Sequence, residues 1–238
     1  MRLEGRTVVV TGASRGIGRA IAQAYALGGA RVIGTHTGGG DPDHAFCAEW
    51  VAADFSRIAE IESCAARLAD LRPDILVNNA GINVVAPFVE IVPQDFLLIQ
   101  QVNVYAPFRL CQAVLGSMAE RGWGRIVNLS SIWGKISKAG RASYSASKFA
   151  LDGMTAALSA EYAAHGVLAN SVAPGFTDTE LTRRVLGETG MQELASHVPA
   201  RRLGQPEEVA SFVVWLGSGD NTYVTGQNFA IDGGFTRV

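Results

Sequence analysis

Little in this chain of 238 residues is of the kind that marks a metal centre, a disulfide framework or a nucleic-acid surface. Cysteine occurs three times, at Cys47, Cys64 and Cys111. The number is odd, the spacing wide, and no histidine stands at ligand spacing. The three read as reduced packing residues, with neither a disulfide framework nor a metal site expected. Lys and Arg number 20 against 22 Asp and Glu, for a net charge of -2. The basic residues are scattered, so no electrostatic footprint for nucleic acid or an anionic membrane is expected. No apolar stretch reaches membrane-spanning length, and the opening segment Met1 to Thr7 runs toward a strand without an apolar signal core, so a cytoplasmic protein is expected. Repeats, low-complexity tracts and interdomain linkers are also lacking, and the length suits one large domain over residues 1–238.

What is present alternates between strand and helix signals. Thr7 to Thr11 is a β-branched run, and an amphipathic helix pattern follows from Gly16 to Leu27. Between them lie Gly12, Ser14, Arg15, Gly16, Ile17 and Gly18. Glycines there permit a tight turn, close approach of backbone to a pyrophosphate, and close helix packing, while the helix N-terminus favours the anion. A lone glycine triplet is also an ordinary turn; its strand-to-helix setting is what points to a dinucleotide. The second strand, Ala30 to Thr35, ends without an Asp or Glu to accept from a ribose 2′-hydroxyl. Arg15 and Thr37 could instead receive a 2′-phosphate, which favours NADP(H) over NAD(H), although Arg15 could equally be a solvated loop residue.

The turn-rich stretch Gly38 to His44 is too short for a full crossover helix before a third strand at Phe46 to Ala53. Asp54 after it could contact adenine or cap the helix of Ser56 to Leu71. Asp74 to Asn78 forms a fourth strand running into Asn79, Ala80 and Gly81. A long helix is expected from Gln94 to Glu120, in which Pro107 would free the carbonyl of Asn103 and allow it to hold a water reaching toward Lys148. Arg125 to Ser131 is a buried strand, Tyr144 to His165 a helix, and Leu168 to Ala173 a sixth strand leading into Pro174, Gly175, Thr177 and Thr179. Glu180 to His197 reads as a helical lid, Pro206 to Leu216 as the last helix, and Gly226 to Ile231 as the seventh strand. The fold class expected is α/β: a doubly wound Rossmann fold with a seven-stranded, mostly parallel sheet and helices on both faces.

Chemistry concentrates at Ser131, Tyr144 and Lys148. Tyr144 and Lys148 stand four apart, on one face of a helix, where an ammonium would favour ionisation of the phenol; such a pair alone is more often a surface pair. Ser131, closing a buried strand, could bond the oxygen of a carbonyl or carbinol. Asn83, Val84, Ile132, Trp133 and the stretch from Met191 to Pro199 are expected around the substrate, with Trp133 equally explicable as core.

Taken in order, Thr11-Gly12-x-x-x-Gly16-x-Gly18, Asn78-Asn79-Ala80-Gly81, Asn103, Ser131 with Tyr144 thirteen residues on, Tyr144-x-x-x-Lys148, and Pro174-Gly175 with Thr179 resemble the short-chain dehydrogenase/reductase family over essentially the whole chain. The likeness is greatest to its 3-oxoacyl-(acyl-carrier-protein) reductases. The resemblance implies Tyr144 as general acid in reduction and base in oxidation, Lys148 lowering its pKa and binding the nicotinamide ribose, Ser131 orienting the substrate oxygen, and Asn103 holding the water of a proton relay. It implies Gly12 through Ile17 at the pyrophosphate and adenosine side, Asp54 and Phe55 flanking adenine, Asn79, Ala80 and Gly81 along the cleft, and Thr177 and Thr179 at the nicotinamide end. It also implies a homotetramer paired through the helices carrying Asn103 and Tyr144. The trimmed connection at Gly38 to His44 departs from the family pattern. An NAD-linked dehydrogenase of a sugar, sterol or cyclic diol, and a non-catalytic cofactor sensor, are the rival readings.

Overall fold

A computed structural model describes residues 3–38 and 45–238. Its centre is one sheet of seven strands: β1 (Thr7–Val10), β2 (Arg31–His36), β3 (Glu49–Ala52), β4 (Ile75–Asn78), β5 (Gly124–Leu129), β6 (Val167–Pro174) and β7 (Asn228–Ile231). They lie in the order β3-β2-β1-β4-β5-β6-β7. Every pairing is parallel, so the sheet is wholly rather than mostly parallel. β5 and β6 are buried at every position, as strands covered on both faces must be.

The covering helices are α1 (Gly16–Leu27), α2 (Ile58–Leu71), α3 (Pro93–Gln100), α4 (Ala106–Glu120), α5 (Ala142–Tyr162), α6 (Glu180–Ser196) and α7 (Pro206–Gly217). Ile21 and Tyr25 of α1 pack with Val209, Val213 and Val214 of α7 against Val8, Val10 and Val77 on one face. Ile61 and Leu68 of α2 pack with Leu110 and Val114 of α4 against Val9, Leu76 and Ile126 on the other. The strand order reverses between β1 and β4, which opens a crevice at the carboxyl ends of those strands, where such sheets take their ligands.

Several boundaries differ from the sequence expectation. β3 is shorter, starting at Glu49 rather than Phe46, because Cys47 and Trp50 fold over Gly34: a Cβ there would lie 3.0 Å from the Cys47 sulfur and 2.5 Å from the Trp50 ring. The trimmed turn falls on residues 39–44, outside the described residues. The long helix is not regular. A π-helical turn, Gln101–Tyr105, separates α3 from α4, and it absorbs Pro107, whose ring has no N–H to give the carbonyl of Asn103. β5 stops at Leu129, and Ser131 begins a short 3₁₀ turn, Ile132–Gly134. α5 starts two residues before Tyr144 and ends at Tyr162, followed by a 3₁₀ turn at Ala163–His165. α6 is kinked at Gly187, whose φ is 63°.

Candidate active site

The glycine turn sits where β1 feeds α1. Gly12 and Gly16 have φ of 63° and 56°, a backbone that residues with a Cβ rarely adopt. A Cβ on Gly18 would lie 2.2 Å from the carbonyl oxygen of Gly12, so only glycine lets α1 close on the turn. Thr35 of β2 ties the turn down, its hydroxyl accepting from Gly12 N at 3.0 Å. From β4, Asn79 Nδ2 donates to the carbonyl oxygens of Thr11 and Gly12 at 2.9 and 3.2 Å, so this side chain holds the turn rather than facing the cleft. Ala80 N donates to Thr11 Oγ1 at 2.9 Å. The N-cap residue Arg15 makes no side-chain cap to α1, a helix end suited to an anion. Across the crevice, the methyl of Thr179 lies 3.8 Å from where a Gly16 Cβ would stand. This uncapped turn, with space above Gly16, fits a dinucleotide pyrophosphate.

At the adenosine end Arg15 and Thr37 are both exposed. His36 is buried against Trp50, with its Nδ1 accepting from Gly38 N at 3.2 Å. Asp54 does not cap α2, whose N-cap is Arg57; its carboxylate accepts from Ser56 N at 2.9 Å within the preceding turn, and Ser56 with Arg57 holds it below the usual carboxylate range. Phe55, expected to flank adenine, follows Asp54 in the loop before α2. Its side chain is 4% exposed and packs in the core under α2, so only its backbone could face the cleft.

The catalytic end is assembled by α5 and the ends of β4, β5 and β6. Buried amides and hydroxyls register these elements: Asn78 Nδ2 donates to Asn128 Oδ1 at 2.8 Å, Asn128 Nδ2 to Thr155 Oγ1 at 2.8 Å, and Thr155 meets Ser171 at 2.9 Å. Asn103 clamps the loop after β4. Its Oδ1 accepts from Ile82 N and its Nδ2 donates to Ile82 O, both at 2.9 Å, while Nδ2 also reaches Ser147 Oγ at 3.0 Å. The side chain is therefore occupied, and the carbonyl facing Pro107 is the part left to hold a water.

Tyr144, Ser131 and Lys148 do converge. The Ser131 hydroxyl is near enough to the phenol to favour its ionised form, and Lys148 Nζ lies 5.5 Å from the Tyr144 ring centroid. The expectation that Lys148 draws the phenol down toward neutrality is not met in this conformation. Burial holds Tyr144 above the usual tyrosine range, against which the Ser131 hydroxyl and the charge of Arg141 work. Burial strips Lys148 as well, lowering its ammonium from 10.5 to about 8, and its Nζ donates to the carbonyl of Leu129 at 2.7 Å. Gly81 leaves room for it; a Cβ there would stand 3.6 Å from Nζ.

Pro174 and Gly175 carry β6 to Thr177, whose hydroxyl donates to Gly175 O at 3.3 Å, and Thr179 caps α6 by accepting from Thr182 N at 3.2 Å. Ile132 is 1% exposed and belongs to the core rather than the pocket. Trp133 is 7% exposed, wedged against Phe176 and Phe235. Two groups near the site escaped the sequence reading. Arg141 acts on the phenol, and the half-buried carboxylate of Asp152 accepts from Asn228 while its charge supports the Lys148 ammonium. Their positions, three before Tyr144 and four after Lys148, were the available signal.

Fold and site together define a dinucleotide-dependent oxidoreductase of the doubly wound α/β class. The family model described as enoyl-(acyl carrier protein) reductase matches residues 12–236. A 3-oxoacyl-(acyl-carrier-protein) reductase of Vibrio cholerae is 39% identical over 245 residues, covering 100% of both chains. An acetoacetyl-CoA reductase of Shinella zoogloeoides is 37% identical over 235 residues, covering 96% of this chain and 98% of its own. Among solved structures, a gluconate 5-dehydrogenase from Burkholderia cenocepacia in complex with NADP and tartrate superposes with a TM-score of 0.90 at 32% identity, over 100% of this chain and 97% of the other. A 3-oxoacyl (acyl-carrier-protein) reductase from Agrobacterium tumefaciens with NADP bound gives 0.92 at 31% identity, over 98% and 95%. The chain belongs to the short-chain dehydrogenase/reductase family and is an oxidoreductase of that family. Among the described residues no helix is long and apolar enough to cross a membrane.

Proposed function

We propose that this protein is an NADP(H)-dependent reductase of 3-oxoacyl-type carbonyls, reversible toward the secondary alcohol, and acts in the cytoplasm as a homotetramer. The observation that carries the reading is the meeting of Ser131, Tyr144 and Lys148 at the same sheet edge as the uncapped glycine turn. The cofactor, when bound, supplies or accepts the hydride. Backbone of Gly12, Ser14, Gly16, Ile17 and Gly18 receives its pyrophosphate, and Arg15 and Thr37 its 2′-phosphate. Asp54 and the backbone of Phe55 approach adenine; Asn79, Ala80 and Gly81 support the cleft; Pro174, Gly175, Thr177 and Thr179 border the nicotinamide side. The absence of an acidic side chain at the end of β2 and the NADP held by the two solved relatives support NADP over NAD.

Ser131 holds the substrate oxygen, and Tyr144 gives it a proton as negative charge develops there. Burial keeps the Tyr144 phenol protonated, the form a proton donor needs. Lys148 adds its charge beside the phenol and a donor toward the ribose, and the Asn103 carbonyl holds a water through which the proton is replaced. Trp133 borders the substrate, and α6, none of whose described side chains is buried, acts as the lid. The tetramer is supported by Tyr105 and Phe108 of the π turn and α4 and Phe149 of α5, all exposed and apolar. A steady-state panel of acetoacetyl thioesters, diketones, sugars and cyclic alcohols with both cofactors tests the reading. It expects NADPH-linked reduction of the 3-oxoacyl group; NADH preference, or no hydride transfer to any carbonyl, would overturn it. A second reading, oxidation of a sugar acid, is favoured by two cations beside Trp133 that lack a carboxylate partner.

A further inference from the structure

Those two cations mark the substrate side of the site. The backbone N–H of Trp133 donates to Ser131 Oγ at 3.2 Å, which ties the residue carrying the indole to the hydroxyl assigned to the substrate oxygen. Phe176 and Phe235 hold the ring from behind, their centroids at 6.2 and 6.3 Å. On the same ring converge Lys138, with Nζ 5.2 Å from the centroid, and Arg141, with Cζ at 5.9 Å. Ring faces attract cations, yet two like charges on one indole repel each other, so the arrangement calls for a counter-charge. Among the described residues no carboxylate supplies one. Arg57, Arg109, Arg183 and Arg202 each hold a carboxylate at 2.5–2.6 Å, whereas among the described residues neither Lys138 nor Arg141 is so paired. Arg141 Nε is moreover buried without a hydrogen-bond partner.

Two further observations agree. Arg141 immediately precedes α5, a 21-residue helix with no acidic residue in its first turn, so the positive helix end adds to the guanidinium. Beside Lys138 an open cavity of about 320 Å³ is lined by Pro87, Phe88, Ser137, Lys138, Ala139, Gly140 and Ala142, so Lys138 borders free space while Trp133 and Arg141 lie outside that lining.

We propose that Lys138 and Arg141, seated on Trp133, form an anion subsite for a carboxylate carried by the substrate a few bonds from its reacting carbonyl. The substrate class it selects is a short 3-oxo acid, or the corresponding hydroxy acid, with a free carboxylate; the thioester of the same acyl group offers only a neutral carbonyl there. This rests on the reading that Ser131 and Tyr144 receive the substrate oxygen.

The test compares acetoacetate with its ethyl ester, which differ in that one charge, using NADPH. Wild-type enzyme is expected to favour acetoacetate at least tenfold in kcat/KM, mainly through KM. Lys138→Gln with Arg141→Gln is expected to bring the ratio to about one, and Arg141→Lys to restore part of it. Calorimetric titration of malonate into the protein with NADP is expected to lose at least tenfold in affinity in the double variant, with inorganic phosphate binding the wild type more weakly than malonate. An unchanged ratio in the double variant, a wild-type preference for the ester, or tighter binding of phosphate would overturn the subsite. Malonate binding needs no turnover, so a fully active Tyr144→Phe enzyme would sink the proton-donor reading while leaving the subsite to be decided on its own.

Discussion

At the β4 to β6 end of the cleft each proposed catalytic side chain is buried or half-buried, and three of them are bonded: Asn103 by three hydrogen bonds, Lys148 by the Leu129 carbonyl, Ser131 by Trp133 N. At the β1 to β3 end Arg15 and Thr37 are exposed. The chemistry is thus placed by packing, in a low-dielectric setting where proton affinities shift, whereas the cofactor's phosphate is met by side chains that solvent reaches. Changes at the first end should alter turnover, stability and pH response together, and changes at the second should alter cofactor choice alone.

Phe55 sits at the adenosine end but packs in the core, so it offers the largest test of that division. Phe55→Ala is expected to cost about 3–5 kcal/mol in urea unfolding, with the KM for NADPH altered far less. A KM rise without loss of stability would break the comparison.

Lys148→Met should lower kcat by about a hundredfold. It should also change how stability depends on pH. The folded ammonium is held at about 8 against an ordinary 10.5, so the unfolded chain binds more protons between those values and wild-type stability rises with pH across them. Below about pH 8 the burial penalty is fully present, so the methionine variant gains most there, less whatever the unpaired Leu129 carbonyl costs, and its advantage narrows toward pH 10.5. Thermal melts across that range check the sign.

Arg15→Ala should reduce the NADPH-to-NADH ratio of kcat/KM by about tenfold, the worth of a charge-assisted phosphate contact, with melting temperature unmoved. On turnover the smallest effect expected is that of Asn103→Ala, which frees the Ile82 loop: a fall in kcat of tenfold or less, with a loss of about 1–3 kcal/mol in stability. If stability fell and kcat held, the clamp would be structural only.

Much of this was legible in the residues. Strand and helix alternation, the glycine turn and the Tyr144-x-x-x-Lys148 spacing are local signals, and the structure honours them. The misses have a common cause: they depend on partners distant in sequence. Phe55 looks like a cleft residue until α2 and α4 close over it. The fate of Asn103 turns on Ile82, 21 positions away, and the proton affinity of Tyr144 on a burial that no i, i+4 pattern reports. Arg141 was passed over because its meaning lies in Trp133, which the chain brings to it through a turn.

The most direct test of the account is single-turnover reduction of an acetoacetyl thioester by NADPH in Tyr144→Phe, which keeps the ring and removes only the hydroxyl. The account predicts a rate about 10²–10⁴-fold below wild type with cofactor affinity and melting temperature preserved. A rate within twofold of wild type would contradict it.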